Sequence, residues 1–210
     1  MKKTIVIVLV IIIFLVIGYG IYKIIPSKEE TKPSSEVKGY NYVLYNNMSS
    51  TYKSLFHKLS TELEKEEIDE KVYATLISKM FLIDFYTLSD KITKNDVGGV
   101  EFIYTPAREN FVLEASDTIY KYVENNIDSD RTQELPKVKE VVVDDTNITT
   151  TSYTHGDIID DNAYQIKATI TYENDLGYPT NIVLILIHTE IEYEEKTISK
   201  LEIVSVKEGV

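Results

Sequence analysis

The sequence predicts an α+β domain, in which helices pack on a curved antiparallel sheet, behind an N-terminal transmembrane helix. Three observations predict this arrangement. An uncharged, mostly aliphatic run occupies residues 5–22. Residues 50–88 have the apolar spacing of amphipathic and buried helices, and residues 138–207 have the alternation of β-strands. A sheet with one apolar face needs a cover, which the helices can supply.

The first 25 residues predict a membrane anchor. The short basic segment Met1-Lys2-Lys3 precedes the uncharged run, which is as long as a membrane-spanning helix. The alternative is a cleaved signal peptide, but that would have a shorter apolar region and a small-residue cleavage site after it. We expect residues 1–25 to form an uncleaved single-pass anchor in the cell membrane. Because the basic segment is short, we expect an extracytoplasmic C-terminal domain, although a count of basic residues favours the opposite orientation.

The anchor is followed by a predicted spacer at residues 26–39. This segment is rich in Pro, Ser, Lys and Glu and poor in apolar residues. That composition is typical of a flexible linker. Residues 40–210 then form the predicted domain.

Two helices are predicted at the start of the domain. The first begins near Ser49, a residue type that caps helices, and carries one apolar stripe. The stripe consists of Tyr52, Leu55, Phe56, Leu59 and Leu63. The second helix begins after Asp69 and runs to about Leu88. It is apolar on more than one side, so we expect it to be the central core helix.

A short strand and a third helix are predicted next. Residues 96–99 form a turn with two glycines, and residues 100–104 read as a strand after it. Thr105 and Pro106 are a good helix start, with a capping hydroxyl and a proline at the first helical position. The helix is expected to bury Tyr122 and to end near Asn125.

Four antiparallel strands complete the predicted domain. The clearest is at residues 164–172, where apolar and polar side chains alternate strictly. The third strand contains residues 182–187, which are apolar on both faces and predict a central strand with a covered outer face. The predicted bounds are 138 to about 154, with a possible bulge at 144–145, then 163–173, 180–193 and 197–206.

Composition excludes several classes of function. The chain has no cysteine, which excludes disulfides, thiolate nucleophiles and cysteine-bound zinc. Its net charge is −12, from 22 basic and 34 acidic residues. Nucleic acid and anionic lipid surfaces would repel such a domain. We therefore expect no nucleic-acid partner.

Four polar residues are candidates for lining a pocket between the helices and the sheet: Tyr73, Asp84, Tyr86 and Tyr164. Asp84 is the most informative, because it interrupts an apolar helix and a buried, unpaired carboxylate would have a raised pKa. The alternative is structural, with Asp84 hydrogen-bonded to a neighbouring loop or tyrosine.

The remaining polar signals favour structure over chemistry. His188 follows the apolar part of the third strand, where a general base is conceivable. A structural histidine paired with a neighbour is the favoured alternative. The acidic loop around His155 lacks the ligand spacing of known metal motifs. We therefore predict no metal, no cofactor and no catalytic residue. The outward side chains of Lys167, Thr169 and Thr171 form the candidate interaction face.

The order of elements resembles the NTF2-like (cystatin-like) α+β fold, over roughly residues 45–207. The closing segment, residues 195–206, is similar to the last strand of such domains. A membrane-anchored domain of this type resembles the scaffold subunits of type IV secretion and conjugation systems. The resemblance rests on element order and assigns no functional residue.

Three functional hypotheses follow. The first is a membrane-anchored, non-enzymatic protein that acts by protein–protein interaction, as a scaffold in a bacterial envelope or conjugation assembly or as a homo-oligomer. The second is a small-molecule or peptide-binding domain with a pocket between helices and sheet. The third is an isomerase-like or hydratase-like enzyme that uses Asp84 or His188.

Overall fold

The structure is a computed structural model that describes residues 33–144, 146 and 148–209. The chain divides after Pro33, and the second unit, Ser34–Val210, is compact. The predicted anchor at residues 1–25 lies outside the described residues. The predicted spacer is partly folded, because Ser35–Val37 forms strand β1 and pairs with β2 (Tyr42–Leu44) in an antiparallel hairpin. The folded domain thus begins before the predicted residue 40.

The described residues of the second unit form an α+β domain, with three α-helices and a curled antiparallel sheet that makes a half-barrel. The predicted fold class is confirmed at this level. The helices are α1 (Ser50–Leu63), α2 (Glu70–Tyr86) and α3 (Arg108–Asp117). The strands of the large sheet are β3 (Val138–Val142), β4 (Ile148–His155), β5 (Ile158–Tyr172), β6 (Asn181–Tyr193) and β7 (Lys196–Glu208).

The sheet has the order β3-β5-β6-β7, and β4 also pairs with β5, always antiparallel. The first predicted strand, residues 138–154, is therefore two strands. The chain leaves the ladder after Val142 and enters it again at Ile148. Both strands pair with β5. This strand is long enough for both because it begins at Ile158 rather than at the predicted residue 163.

Helix starts follow the capping residues that the sequence contains. The Ser49 hydroxyl accepts a hydrogen bond from the Tyr52 amide at 3.1 Å and caps α1. The Asp69 carboxylate accepts from the Lys71 and Val72 amides at 3.1 and 3.2 Å and caps α2. Helix α2 is buried along most of its length, as predicted for the central core helix.

The inner face of the large sheet forms the core with α2. The register pairs Ile166 on β5 with Leu184 on β6, and both side chains are buried. On the opposite face of β6, Ile187 is buried but Val183 and Ile185 are only half-buried. The predicted cover over the outer face of this strand is therefore only partial.

Residues 100–104, predicted as a strand, instead form the 3-10 turn Val100–Phe102 and a single parallel bridge to β7. Gly99 sets this geometry, because its φ of +72° lies in the left-handed region that favours glycine. A Cβ at this residue would lie 2.6 Å from Cδ2 of Phe81 on α2. The tight approach to α2 turns the chain before a full strand can form.

The third helix is shorter than predicted. Thr105 begins a 3-10 turn, and α3 follows it but ends at Asp117 rather than near Asn125. The helix stops because Thr118 leaves the helical region, with φ −119° and ψ −97°. Tyr122, predicted on the buried face, is 75% exposed.

β7 is the last strand of the sheet, and other segments close part of its free edge. The Leu201 amide donates to the Tyr73 hydroxyl and its carbonyl accepts from the Tyr42 hydroxyl, both at 3.2 Å. The two hydroxyls lie 2.7 Å apart, so Tyr73 donates to Tyr42 and the three hydrogen bonds form a closed ring. We call these three residues the tyrosine clamp. Two residues on, the Tyr104 amide donates to the Ile203 carbonyl at 2.9 Å.

Candidate functional site

The structure separates the four residues predicted to line one pocket. Tyr73 belongs to the tyrosine clamp, and Tyr164 donates to the Glu70 carboxylate at 2.8 Å. Asp84 is part of an ion pair, and Tyr86 lines a cleft beside β7. Among the described residues, the four share no hydrogen-bond partner. Periodicity specifies the face of an element on which a residue lies, but not which residues of other elements it meets.

Asp84 is held by the turns that follow α2. One carboxylate oxygen accepts from the Lys91 ammonium at 2.5 Å, and the other accepts from the Gly99 amide at 2.6 Å. The Lys91 and Asp84 side chains are only 9% and 11% exposed. This matches the structural alternative, a carboxylate bonded to a neighbouring loop. The pair ties the end of α2 to both turns.

A cleft of about 570 Å³ lies between α2, α3 and β7, and we call it the edge cleft. Its volume is within the range of roughly 300–1,000 Å³ found for ligand pockets. The apolar part of the lining includes Phe85, Tyr86, Ile103, Phe111, Ile203 and Val206. Its polar groups include Asn110, Glu114, Lys207 and Glu208. A cavity thus exists between helices and sheet, with Tyr86 of the four predicted residues in its lining.

The Tyr86 hydroxyl is the notable polar group within this apolar lining. Burial raises the pKa of Tyr86, and the nearby negative charge of Glu208 raises it further. The phenol therefore stays protonated at physiological pH. No described residue makes a side-chain hydrogen bond with this hydroxyl, which leaves it available to a bound molecule.

His188 lies in a hydrogen-bonded cluster that joins the sheet to the first turn of α2. Its Nδ1 is 2.9 Å from an Asp160 carboxylate oxygen that also accepts from the His188 amide at 2.8 Å. Its Nε2 is 3.4 Å from Glu70, which accepts from the Tyr164 hydroxyl. The sequence pattern indicates His188 and Tyr164 but not Glu70, because only the packing of α2 on the sheet brings Glu70 to this point.

The surroundings shift the pKa values of two groups in this cluster, Asp160 and Tyr164. Partial burial acts to raise the pKa of Asp160, but the hydrogen bonds from the His188 amide, the Asn162 amide and the His188 ring outweigh it and lower the pKa. Burial and the hydrogen bond to Glu70 raise the pKa of Tyr164 to about 12. Each ring nitrogen of His188 faces a carboxylate, so neither points at an open substrate position. The geometry is that of a linker between elements.

A buried charged cluster on β7 was not predicted. Lys200 and Glu202 alternate with apolar neighbours and read as solvent-facing, yet each is only 3% exposed. The Glu202 carboxylate accepts from the Thr105 hydroxyl at 2.8 Å and lies 3.4 Å from both the Lys200 ammonium and an Arg108 nitrogen. Tyr42 covers Lys200, with its ring centre 4.9 Å from the ammonium. Burial lowers the pKa of Lys200, against the raising effect of Glu202.

The outer face of the sheet carries the predicted interaction residues Lys167, Thr169 and Thr171, and all three are exposed. The register places further side chains beside them on the same face. We define the outer face as Glu140, Val142, Gln165, Lys167, Thr169, Thr171, Val183, Ile185, Ser205 and Lys207. It has two lysines against one glutamate, whereas the whole chain has a net charge of −12. These ten residues thus carry a net charge of +1, and Glu202 lies on the same face of the sheet but is buried.

In residues 33–144, 146 and 148–209, no group of three or more histidines and carboxylates is arranged to hold a metal ion. No helix in this part of the chain is long and apolar enough to cross a membrane. Comparison of the chain with protein-family models, with curated proteins and with solved structures found no match.

Proposed function

We propose that this chain is a single-pass membrane protein whose NTF2-like extracytoplasmic domain acts by protein–protein interaction and not as an enzyme. The proposed setting is a scaffold in a bacterial envelope or conjugation assembly. The observation that carries the proposal is the outer face, which combines exposed threonines, half-buried aliphatic side chains and a small positive charge in an acidic chain.

The charge distribution is the physical reason for choosing this face. Two acidic surfaces repel each other when they meet, and like charges at an interface cost binding energy. The cores of protein interfaces are accordingly depleted of charged residues. Val142 on the outer face is 46% exposed, and the two lysines of this face, Lys167 and Lys207, are at separate positions. The outer face can therefore meet an acidic envelope protein or a second copy of the chain without that repulsion.

The state of the candidate chemical groups supports a non-enzymatic role. Asp84 is neutralised by Lys91, and both ring nitrogens of His188 face carboxylates. A general base needs a lone pair directed at the substrate, and here the available partners already occupy those directions.

Photo-crosslinking of the full chain in its native membrane tests the proposal. A photoreactive residue at Thr169 samples the outer face, and one at Lys58, which is exposed on α1, is the control. We expect a discrete adduct with Thr169 and none with Lys58. Equal adducts at both positions would indicate random collisions, and no adduct at Thr169 would contradict interaction through this face.

The second candidate function is ligand binding in the edge cleft, favoured by its volume, its apolar lining and the available Tyr86 hydroxyl. An apolar ligand at 100 times its dissociation constant stabilises a protein by about 2.7 kcal/mol. A fluorescent apolar dye should therefore raise the melting temperature of the full chain. Asn110→Trp, which fills the cleft from an exposed position on α3, should abolish the shift. An unchanged shift would place the dye elsewhere.

A further inference from the structure

The free edge of β7 is open over residues 204–208. Earlier on the strand, the Leu201 amide and carbonyl are hydrogen-bonded in the tyrosine clamp, and the Ile203 carbonyl accepts from the Tyr104 amide. Within the described part of the chain, no hydrogen bond from outside β6 reaches the backbone of residues 204–208. β7 pairs with β6 on its other side, so this stretch presents unpaired amides and carbonyls. Such an edge is a template for another strand.

The edge cleft lies directly beside this open stretch. Residues 203–208 of β7 line the cleft together with side chains of α2 and α3. Ile103 and Tyr104 already lie against the neighbouring part of the same edge, in parallel with β7. Residues 103–104 thus already lie along one part of this edge, and the edge cleft extends from there along residues 203–208. An open edge with an apolar pocket beside it is the arrangement that peptide recognition by strand addition requires.

The side chains around the edge cleft specify the class of peptide. In an added strand, alternate side chains point to opposite faces, so every second residue would enter the apolar lining. The charged groups at the cleft are two carboxylates, Glu114 and Glu208, against one ammonium, Lys207. The chain as a whole is also strongly acidic, with a net charge of −12. Both observations favour a basic partner segment.

We propose that residues 204–208 of β7 and the edge cleft bind an extended, basic segment of a partner protein, which adds to the sheet as a further strand. Apolar side chains of the segment enter the cleft, where the Tyr86 hydroxyl is available to hydrogen-bond its backbone. This inference rests on the proposed function in protein–protein interaction, but it assigns a different surface, which shares Ser205 and Lys207 with the outer face.

Peptide binding to the full-length chain in mild detergent tests the proposal. The probe is a fluorescent synthetic peptide of about six residues, the common length of a strand, in which Val alternates with Lys or Thr. The matched control is the same peptide with every second backbone nitrogen methylated, which blocks strand pairing but keeps the side chains and charges. We expect saturable binding of the first peptide and about tenfold weaker binding of the second.

Matched variants locate the binding site. Asn110→Trp fills the edge cleft and should weaken binding about tenfold or more, whereas Glu109→Trp, at an exposed neighbouring position outside the lining, should leave it unchanged. Glu114→Gln should weaken binding and reduce its dependence on salt. The proposal is overturned by equal binding of both peptides, by an Asn110→Trp variant that binds normally, or by no saturable binding of the unmethylated peptide.

Two further outcomes separate this inference from the proposed function. If sedimentation shows a dimer that Asn110→Trp dissociates, a second copy occupies the edge and the partner peptide is refuted. If peptide binding fails while the Thr169 crosslink persists, the edge site is wrong and the outer face stands. If the Thr169 crosslink is absent but the peptide binds as expected, the edge site stands and the outer face is wrong.

Discussion

Removing the two hydroxyls of the tyrosine clamp should have unequal costs. Tyr73→Phe deprives the Leu201 amide of its acceptor in a site where Leu201 is 1% exposed, and it also removes the bond to Tyr42. An unpaired buried donor costs roughly 1–3 kcal/mol and a lost hydrogen bond about 1 kcal/mol. We therefore expect the free energy of unfolding to fall by about 3 kcal/mol. Tyr42→Phe leaves the Leu201 carbonyl unpaired and takes the acceptor from the Tyr73 hydroxyl. Proteins tolerate an unpaired carbonyl better than an unpaired amide, and a hydroxyl, unlike an amide, can rotate towards another acceptor, so this variant should cost about 1.5 kcal/mol.

The double variant tests the closed ring of hydrogen bonds. Both single variants lose the same hydroxyl–hydroxyl bond, so the double variant should cost about 1 kcal/mol less than their sum. Urea unfolding at neutral pH measures these differences, and Tyr122→Phe, at a residue 75% exposed, is the control. Amide hydrogen exchange at Leu201 should accelerate more in Tyr73→Phe than in Tyr42→Phe. Additive costs, or a Tyr73→Phe variant as stable as the control, would refute the reasoning.

Three further predictions concern other parts of the domain. Asp84→Asn leaves a buried lysine without its counter-ion and should lower the free energy of urea unfolding by about 3 kcal/mol; a loss below about 1 kcal/mol would mean that the lysine finds water. Gly99→Ala should cost about 2 kcal/mol more than Gly177→Ala in the same assay, because both have positive φ but only the first adds a Cβ within 3 Å of α2. Asp160 has a folded pKa below its ordinary value, so its stabilising effect is present above the unfolded pKa of about 3.9 and is lost as the pH falls through the folded pKa. Asp160→Asn should therefore flatten the dependence of stability on pH in the acid range, and an unchanged slope would contradict the assignment.

Local chemistry made the helix starts and the strand faces predictable. Ser49 and Asp69 are capping residue types directly before apolar periodic segments, and both cap their helices. Strict alternation at residues 164–172 placed Ile166 on the buried face and Lys167 on the exposed face. These features depend on neighbours within a few residues, which the sequence displays directly.

Features that depend on distant segments could not be predicted. Lys200 has the alternation of a solvent-facing residue, but the N-terminal hairpin places the Tyr42 ring over it. Residues 35–37 have the composition of a spacer and become a strand only because residues 42–44 pair with them. Glu70 meets His188 only through the packing of α2 on the sheet. In each case the deciding partner lies elsewhere in the chain.

The break between β3 and β4 shows an intermediate case. The acidic pair at residues 144–145 indicated an irregularity in a long first strand, and the ladder is indeed interrupted between Val142 and Ile148. A bulge and a complete interruption of the strand produce the same local sequence pattern, a pair of acidic residues between apolar ones. Only the length of β5, which pairs with both pieces, shows that the interruption divides one strand into two.

The tyrosine clamp also determines when the domain can finish folding. Tyr42 and Leu201 are 159 residues apart in sequence, and β7 is the last of the described strands to leave the ribosome. Contacts between such distant residues slow folding. Until the 13 residues of β7 are synthesised, both clamp hydroxyls lack their partner and β6 presents an unpaired edge rich in Ile, Leu and Val. An edge of this composition readily pairs with other chains. The nascent protein therefore exposes an aggregation-prone edge between the emergence of β6 and that of β7, and a variant that lacks β7 would expose it permanently.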